Sequence, residues 1–90
     1  MNGQVLCHNE FTIVGRVGDE MKDVESGFRA LILCPNDDDY QKLANKIYVD
    51  FSYLDKDIIS NNVGRAIAVT GHIENNDKLL LISDMFKFIN

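Results

Sequence analysis

Apolar residues recur along this chain with a period of two, broken by short polar stretches, and the alternation marks out five strands. Residues Phe11-Thr12-Ile13-Val14-Gly15-Arg16-Val17-Gly18 are rich in β-branched and aromatic side chains, and Gly18-Asp19-Glu20 offers a turn to end them. A polar interval, Asp19 to Ser26, precedes a second run from Phe28 to Cys34, which Pro35-Asn36 terminates because proline cannot donate to a sheet ladder. In the third strand, Lys46 to Ser52, Ile47, Val49 and Phe51 alternate with Tyr48, Asp50 and Ser52. The fourth, Arg65 to Glu74, sets Ile67, Val69, Gly71 and Ile73 against Ala66, Ala68, Thr70 and His72. Asn75-Asn76-Asp77 makes a tight turn, and Lys78 to Asn90 returns as a largely apolar fifth strand.

Two intervals do not alternate. Asn36 to Asn45 is short and charged, which predicts a loop with room for one helical turn. Beyond the third strand, Ser52 with Asp55 has the spacing of a helix start, Leu54 and Ile58 form an i, i+4 apolar pair, and Asn61-Asn62-Val63-Gly64 stops the run. Such a helix, about two to three turns long, is not stable alone and is expected to cap the end of a barrel. Three strands, a short helix and a two-stranded hairpin is the element order of the five-stranded Greek-key OB barrel. An SH3-like barrel lacks the helix, and a ferredoxin-like fold needs two longer ones. The expected fold is therefore all-β, one OB domain spanning residues 1–90.

Composition adjusts this picture in three places. The apolar fraction of 46% fills one core, and the two cysteines, Cys7 and Cys34, show no metal-binding spacing, so free packing thiols are expected in place of a zinc site built with His8 and His72. No apolar run approaches the ~18 residues of a membrane span and no leader-like block opens the chain, which leads to the expectation of a soluble, cytoplasmic protein without membrane partners. His8 and His72 lack partners at recognisable catalytic spacing and no phosphate loop occurs, so neither enzyme activity nor a cofactor is expected. The net charge of −5 runs against nucleic-acid binding, which draws on lysine and arginine to neutralise phosphates, unless the few cations are gathered on one side.

Particular residues then suggest a family. Val14-Gly15-Arg16-Val17-Gly18-Asp19, Phe51-x-x-Leu54 before a short helix, Gly64-Arg65-x-Ile67-x-Val69-x-Gly71-x-Ile73, and Met85-Phe86-Lys87-Phe88 together resemble the bacterial single-stranded DNA-binding proteins over nearly the whole chain. The resemblance implies single-stranded DNA as ligand, a role in replication or recombination, and a homodimer in which the first strands pair. The chain departs from the family in having no tryptophan, a short connection from Glu74 to Lys78 where the family wraps DNA, an acidic Asp37-Asp38-Asp39 run after strand two, and an end at Asn90 without the acidic tail. A tailless relative in that family, the primosomal replication protein N, implies that such a barrel can act as a dimeric accessory factor instead.

Binding a single strand requires flat rings for bases and cations for phosphates. Tyr48 and Tyr53 fall on or beside the polar face of strand three, where each serves equally well as a stacking platform or as a hydrogen-bonded residue of the rim. Phe51 matches a base-stacking phenylalanine by motif and a core residue by alternation. Arg16 and Arg29 are expected to converge on one sheet face, with Lys78 as a further cation, while Lys46, Arg65 and Lys87 are scattered and Tyr40 anchors a loop. The competing expectation is a protein-interaction module or acidic DNA mimic that docks on a replication or mobile-element protein, motivated by the net charge, the aspartate run and the short wrapping loop.

Overall fold

The structure, a computed structural model, describes residues 9–34, 45–75 and 77–89. Its elements are β1 (Glu10–Val24), β2 (Gly27–Cys34), β3 (Asn45–Ser52), a 3-10 turn (Tyr53–Asp55) running into helix α1 (Lys56–Ser60), β4 (Ala66–Asn75) and β5 (Leu79–Ile89). The strands close into a barrel in the order β1-β2-β3-β5-β4, all neighbours antiparallel except β3 and β5. This is the all-β OB arrangement, with its helix between β3 and β4.

The first strand runs well past the expected turn at Gly18-Asp19-Glu20. It continues to Val24 because a bulge between Val17 and Met21 absorbs the irregular segment and lets the strand change partners. Residues Glu10 to Arg16 pair with β4, and Arg16 to Val24 pair with β2. Glycine at 71 has a matching role at a second irregularity, where β4 and β5 shift register between Thr70 and Gly71. A Cβ there would collide with the Ile82 carbonyl and the Phe11 ring, so only glycine lets the strands approach this closely.

Alternate residues of each strand point into the barrel, as the period of two requires. Val17, Phe28, Ala30, Ile32, Val49, Phe51, Ile59, Ile67 and Val69 form the core, with Phe11, Ile13, Leu81, Phe86 and Phe88 packed against it. Phe28 and Phe51 stack at 5.5 Å between ring centroids, and Phe86 meets Phe51 edge-on at 5.7 Å. Cys34 packs beside this cluster as a free thiol, and burial pushes its pKa up.

The helix caps the barrel through a different residue from the pair that predicted it. Ile59 is fully buried, whereas Leu54 is 92% exposed and Ile58 and Val63 are also turned outward. A 3-10 turn followed by five α residues is too short to present a full i, i+4 stripe, so a single side chain makes the plug. The segment after it is tied to β1 through the backbone: the Val17 N–H donates to the Arg65 carbonyl at 3.0 Å, and the Gly64 N–H donates to the Val17 carbonyl at 2.8 Å. The connection after β2, with Asp37 to Asp39 and Tyr40, lies outside the described residues, as do Cys7 and His8. Among the described residues, no helix is long and apolar enough to cross a membrane.

Candidate functional site

Directly opposed residues of neighbouring strands share a face, so register and alternation together specify what the outer wall of the barrel carries. One rung joins Lys22 of β1, Arg29 of β2 and Asp50 of β3; the next rung on the same face joins Leu31 and Tyr48. Two lysines or arginines directly opposite one another repel, and Asp50 relieves this by accepting from Arg29 Nε at 2.6 Å and from its Nη2 at 3.2 Å. Asp50 is only 8% exposed, although it sits on the outward face, because the guanidinium covers it. The pair holds the Arg29 pKa above its ordinary value, chiefly through the hydrogen bond to Asp50.

Tyr48 is 44% exposed, its hydroxyl donating to Glu20 Oε1 at 3.2 Å. Desolvation, followed by the nearby Glu20 charge, raises its pKa, so the ring stays neutral at physiological pH. Around this ring lie two hollows. One of about 270 Å³ is lined by Glu20, Met21, Lys22, Arg29 and Tyr48. The other, of about 160 Å³, is lined by Arg29, Tyr48, Lys78 just before β5, and Leu79 to Leu81 at its start. Arg29 and Tyr48 form the shared wall, which makes the two hollows one cleft running from β1 across β2 and β3 to β5. A larger hollow of about 430 Å³ lies against β4 and β5, between Ala68, Thr70, Met85, Phe86 and Lys87, and holds a single cation.

Three of the six residues singled out from sequence, Arg29, Tyr48 and Lys78, meet in this cleft. The other three do not. Arg16 sits on the rung with Leu33 and Ala66, beyond the bulge, and donates to the Gly64 carbonyl at 3.0 Å, so it braces the loop before β4 and does not converge with Arg29. Phe51 is 3% exposed and faces inward between Phe28 and Phe86, so its alternation with Ile47 and Val49 decides its place and the motif reading as a base-stacker is set aside. Tyr53 is half exposed, but its hydroxyl donates to the Val24 carbonyl at 2.8 Å and its ring lines neither hollow, which makes it a rim anchor.

Lys22 and Glu20 escaped the sequence reading because the stretch containing them was taken as a turn. Their i, i+2 spacing beside Met21 was the available signal, and it becomes legible only once β1 is known to continue. His72 likewise has acid partners that the spacing did not suggest: its Nδ1 lies 2.9 Å from Asp84 and its Nε2 lies 3.0 Å from Glu74. Both contacts raise its pKa, the Asp84 hydrogen bond most. The carboxylates flank the ring on opposite sides and so clamp it instead of converging on a common point.

Comparison with known proteins bears on the fold. No protein-family model and no curated protein matches the sequence. Solved structures do. The dimeric N-terminal domain of PriB from Thermoanaerobacter tencongensis superposes with a TM-score of 0.70 at 13% identity, over 91% of this chain and 97% of that one. Rim1, the mitochondrial single-stranded DNA-binding protein of S. cerevisiae, superposes with a TM-score of 0.70 at 18% identity, over 93% and 97%. This chain shares their OB fold. A chain of the S. pombe Stn1-Ten1 complex is similar at a TM-score of 0.63 and 20% identity, the match covering 90% of this chain and 58% of that one.

Proposed function

We propose that this protein is a non-catalytic binder of single-stranded DNA, of replication or recombination type, that holds the strand in the cleft between β1 and β5. The carrying observation is the convergence of Lys22, Arg29 and Lys78 around the exposed ring of Tyr48, despite a net charge of −5. Tyr48 supplies the base-stacking surface; Lys22 and Lys78 supply phosphate contacts on either side of it. Its place on the outer wall of β2 and β3, beside the loop between β4 and β5, is where OB folds take oligonucleotides. Structural similarity to Rim1, itself a single-stranded DNA-binding protein, supports the same reading. Affinity is expected to be modest, because Asp50 and Glu20 offset part of the positive charge.

A homodimer fits the same proposal. Among the described residues, Glu10 to Val14 are paired only with β4, which offers their other edge to a second copy of β1. The PriB domain is likewise dimeric. The location is taken to be cytoplasmic.

Fluorescence anisotropy with a labelled oligothymidine at low salt tests the reading. Binding at or below tens of micromolar protein, roughly the non-specific range, is expected, and Tyr48→Ala is expected to weaken it by about fivefold or more, from a stacking contribution of ~1–3 kcal/mol. Absence of binding at those concentrations overturns the proposal.

One observation favours a second reading, a protein-interaction module. Leu54, Ile58 and Val63 are exposed together around α1, next to Asp55 and Asp57. If partners are retained from a nuclease-treated lysate while oligonucleotides do not bind, this reading replaces the first.

A further inference from the structure

We infer that the cleft discriminates among bases, with Glu20 reading the donor edge of the base that stacks on Tyr48, so that guanine is favoured and thymine disfavoured. The inference rests on the binding reading above and deepens it.

The Tyr48 ring is held by its hydroxyl against Glu20, so a base laid on that ring brings one edge toward the same carboxylate. Among the described residues, the Tyr48 hydroxyl is the single hydrogen-bond partner of Glu20, and it engages Oε1. Oε2 is left as an acceptor on a side chain that lines the hollow. An ionised carboxylate accepts and never donates. Guanine offers N1–H and N2–H₂ side by side, two donors matched to a carboxylate. Cytosine and adenine each offer one amino group beside a ring nitrogen that is itself an acceptor. Thymine offers a single N3–H between two carbonyl oxygens, both of which a carboxylate repels.

The opposite preference has weaker support. A guanidinium in the cleft would favour base carbonyls, but Arg29 has two of its N–H groups committed to Asp50. Lys22 and Lys78 carry flexible point charges suited to phosphate, without the planar fork that reads a base edge. Glu20 thus subtracts from attraction to the backbone of every strand equally and adds to the difference between bases.

The test uses labelled dodecamers of thymidine in which every third base is unchanged or replaced by guanine, cytosine or adenine. They are titrated by anisotropy at low salt with the full chain and with Glu20→Gln. The wild-type protein is expected to bind the guanine-containing strand about tenfold more tightly than oligothymidine, with cytosine and adenine between. Glu20→Gln is expected to bind oligothymidine more tightly, having lost a negative charge, while the guanine-to-thymine ratio falls to about twofold or less, because a carboxamide both donates and accepts. Glu20 is exposed, so a melting curve matching wild type is expected for the variant. A wild-type ratio within twofold for all strands, or a ratio that survives Glu20→Gln, overturns the inference and leaves the binding reading standing. Failure of all strands to bind overturns both.

Discussion

Replacing Asp50 with asparagine separates what Arg29 contributes to the fold from what it offers a ligand. The pair is joined by hydrogen bonds of 2.6 and 3.2 Å, with Asp50 almost covered and the Arg29 side chain a quarter exposed. Breaking a fully buried pair costs ~3–5 kcal/mol, and an exposed one ~1 kcal/mol or less. Asparagine keeps one acceptor for Nε, so the loss falls between these limits, at about 1–2 kcal/mol. The rung also loses the charge that relieves repulsion between Lys22 and Arg29. For a domain of this size the melting temperature should drop by roughly 5–15 °C. Binding should move the other way. With its carboxylate partner gone, the guanidinium is available to a phosphate, and one repelling charge has left the cleft. The expected result is a severalfold lower Kd for oligothymidine at low salt and a log–log salt dependence steeper by about 0.7, the increment for one added phosphate contact on a single strand. Circular-dichroism melts and anisotropy titrations at four salt concentrations measure both effects. In an Arg29→Ala background, the gain should vanish. An unchanged salt slope, or weaker binding by a variant still folded at the assay temperature, would refute the placing of Arg29 within reach of the bound strand and with it the cleft.

Three further outcomes follow from the same geometry. Phe51→Leu should lower stability by about 1–2 kcal/mol, since it removes a ring stacked on Phe28, yet leave Kd within twofold when assayed well below the melting temperature; a tenfold loss of binding would return Phe51 to the binding face. The His72 clamp raises the folded-state pKa above the unfolded value of about 6.5, so its stabilising contribution is complete below that pH and is lost as pH rises through the folded pKa. Melting temperatures measured from pH 5.5 to 8.5 should therefore decline more steeply for wild type than for His72→Gln, and parallel curves would count against the clamp. Gly71→Ala should destabilise by ~1–3 kcal/mol or more, because the new methyl meets the Ile82 carbonyl, a backbone atom that cannot step aside; an unchanged denaturant midpoint would contradict the close approach.

How far the site was legible depended on distance along the chain. Tyr48 was placed on the polar face of β3 by alternation within its own strand, which is local information. That Lys78 lies beside it depends on β5 reaching the mouth of the cleft, next to a strand some thirty positions earlier in the chain. Arg16 illustrates the converse: it points outward as alternation requires, but the bulge that follows it assigns the two halves of β1 to different walls, and Arg16 falls on the wrong side of the change. Phe51 was described by two local signals that disagreed, and packing against Phe28 and Phe86 decided between them.

By itself, the order of residues determined the five strands, the helix between the third and fourth, and part of the inward set, including Val49, Ile67 and Val69. A two-residue period and the punctuation of glycine, proline and asparagine are properties of neighbouring residues, and they are written in the chain directly. The tertiary structure alone decided that Lys22, Arg29 and Asp50 form one rung, that Glu20 holds Tyr48, and that Glu74 and Asp84 clamp His72. These depend on the register between strands, which the bulges and the closure of the whole barrel set together, and a shift of one residue in either would send the same side chains to the opposite face.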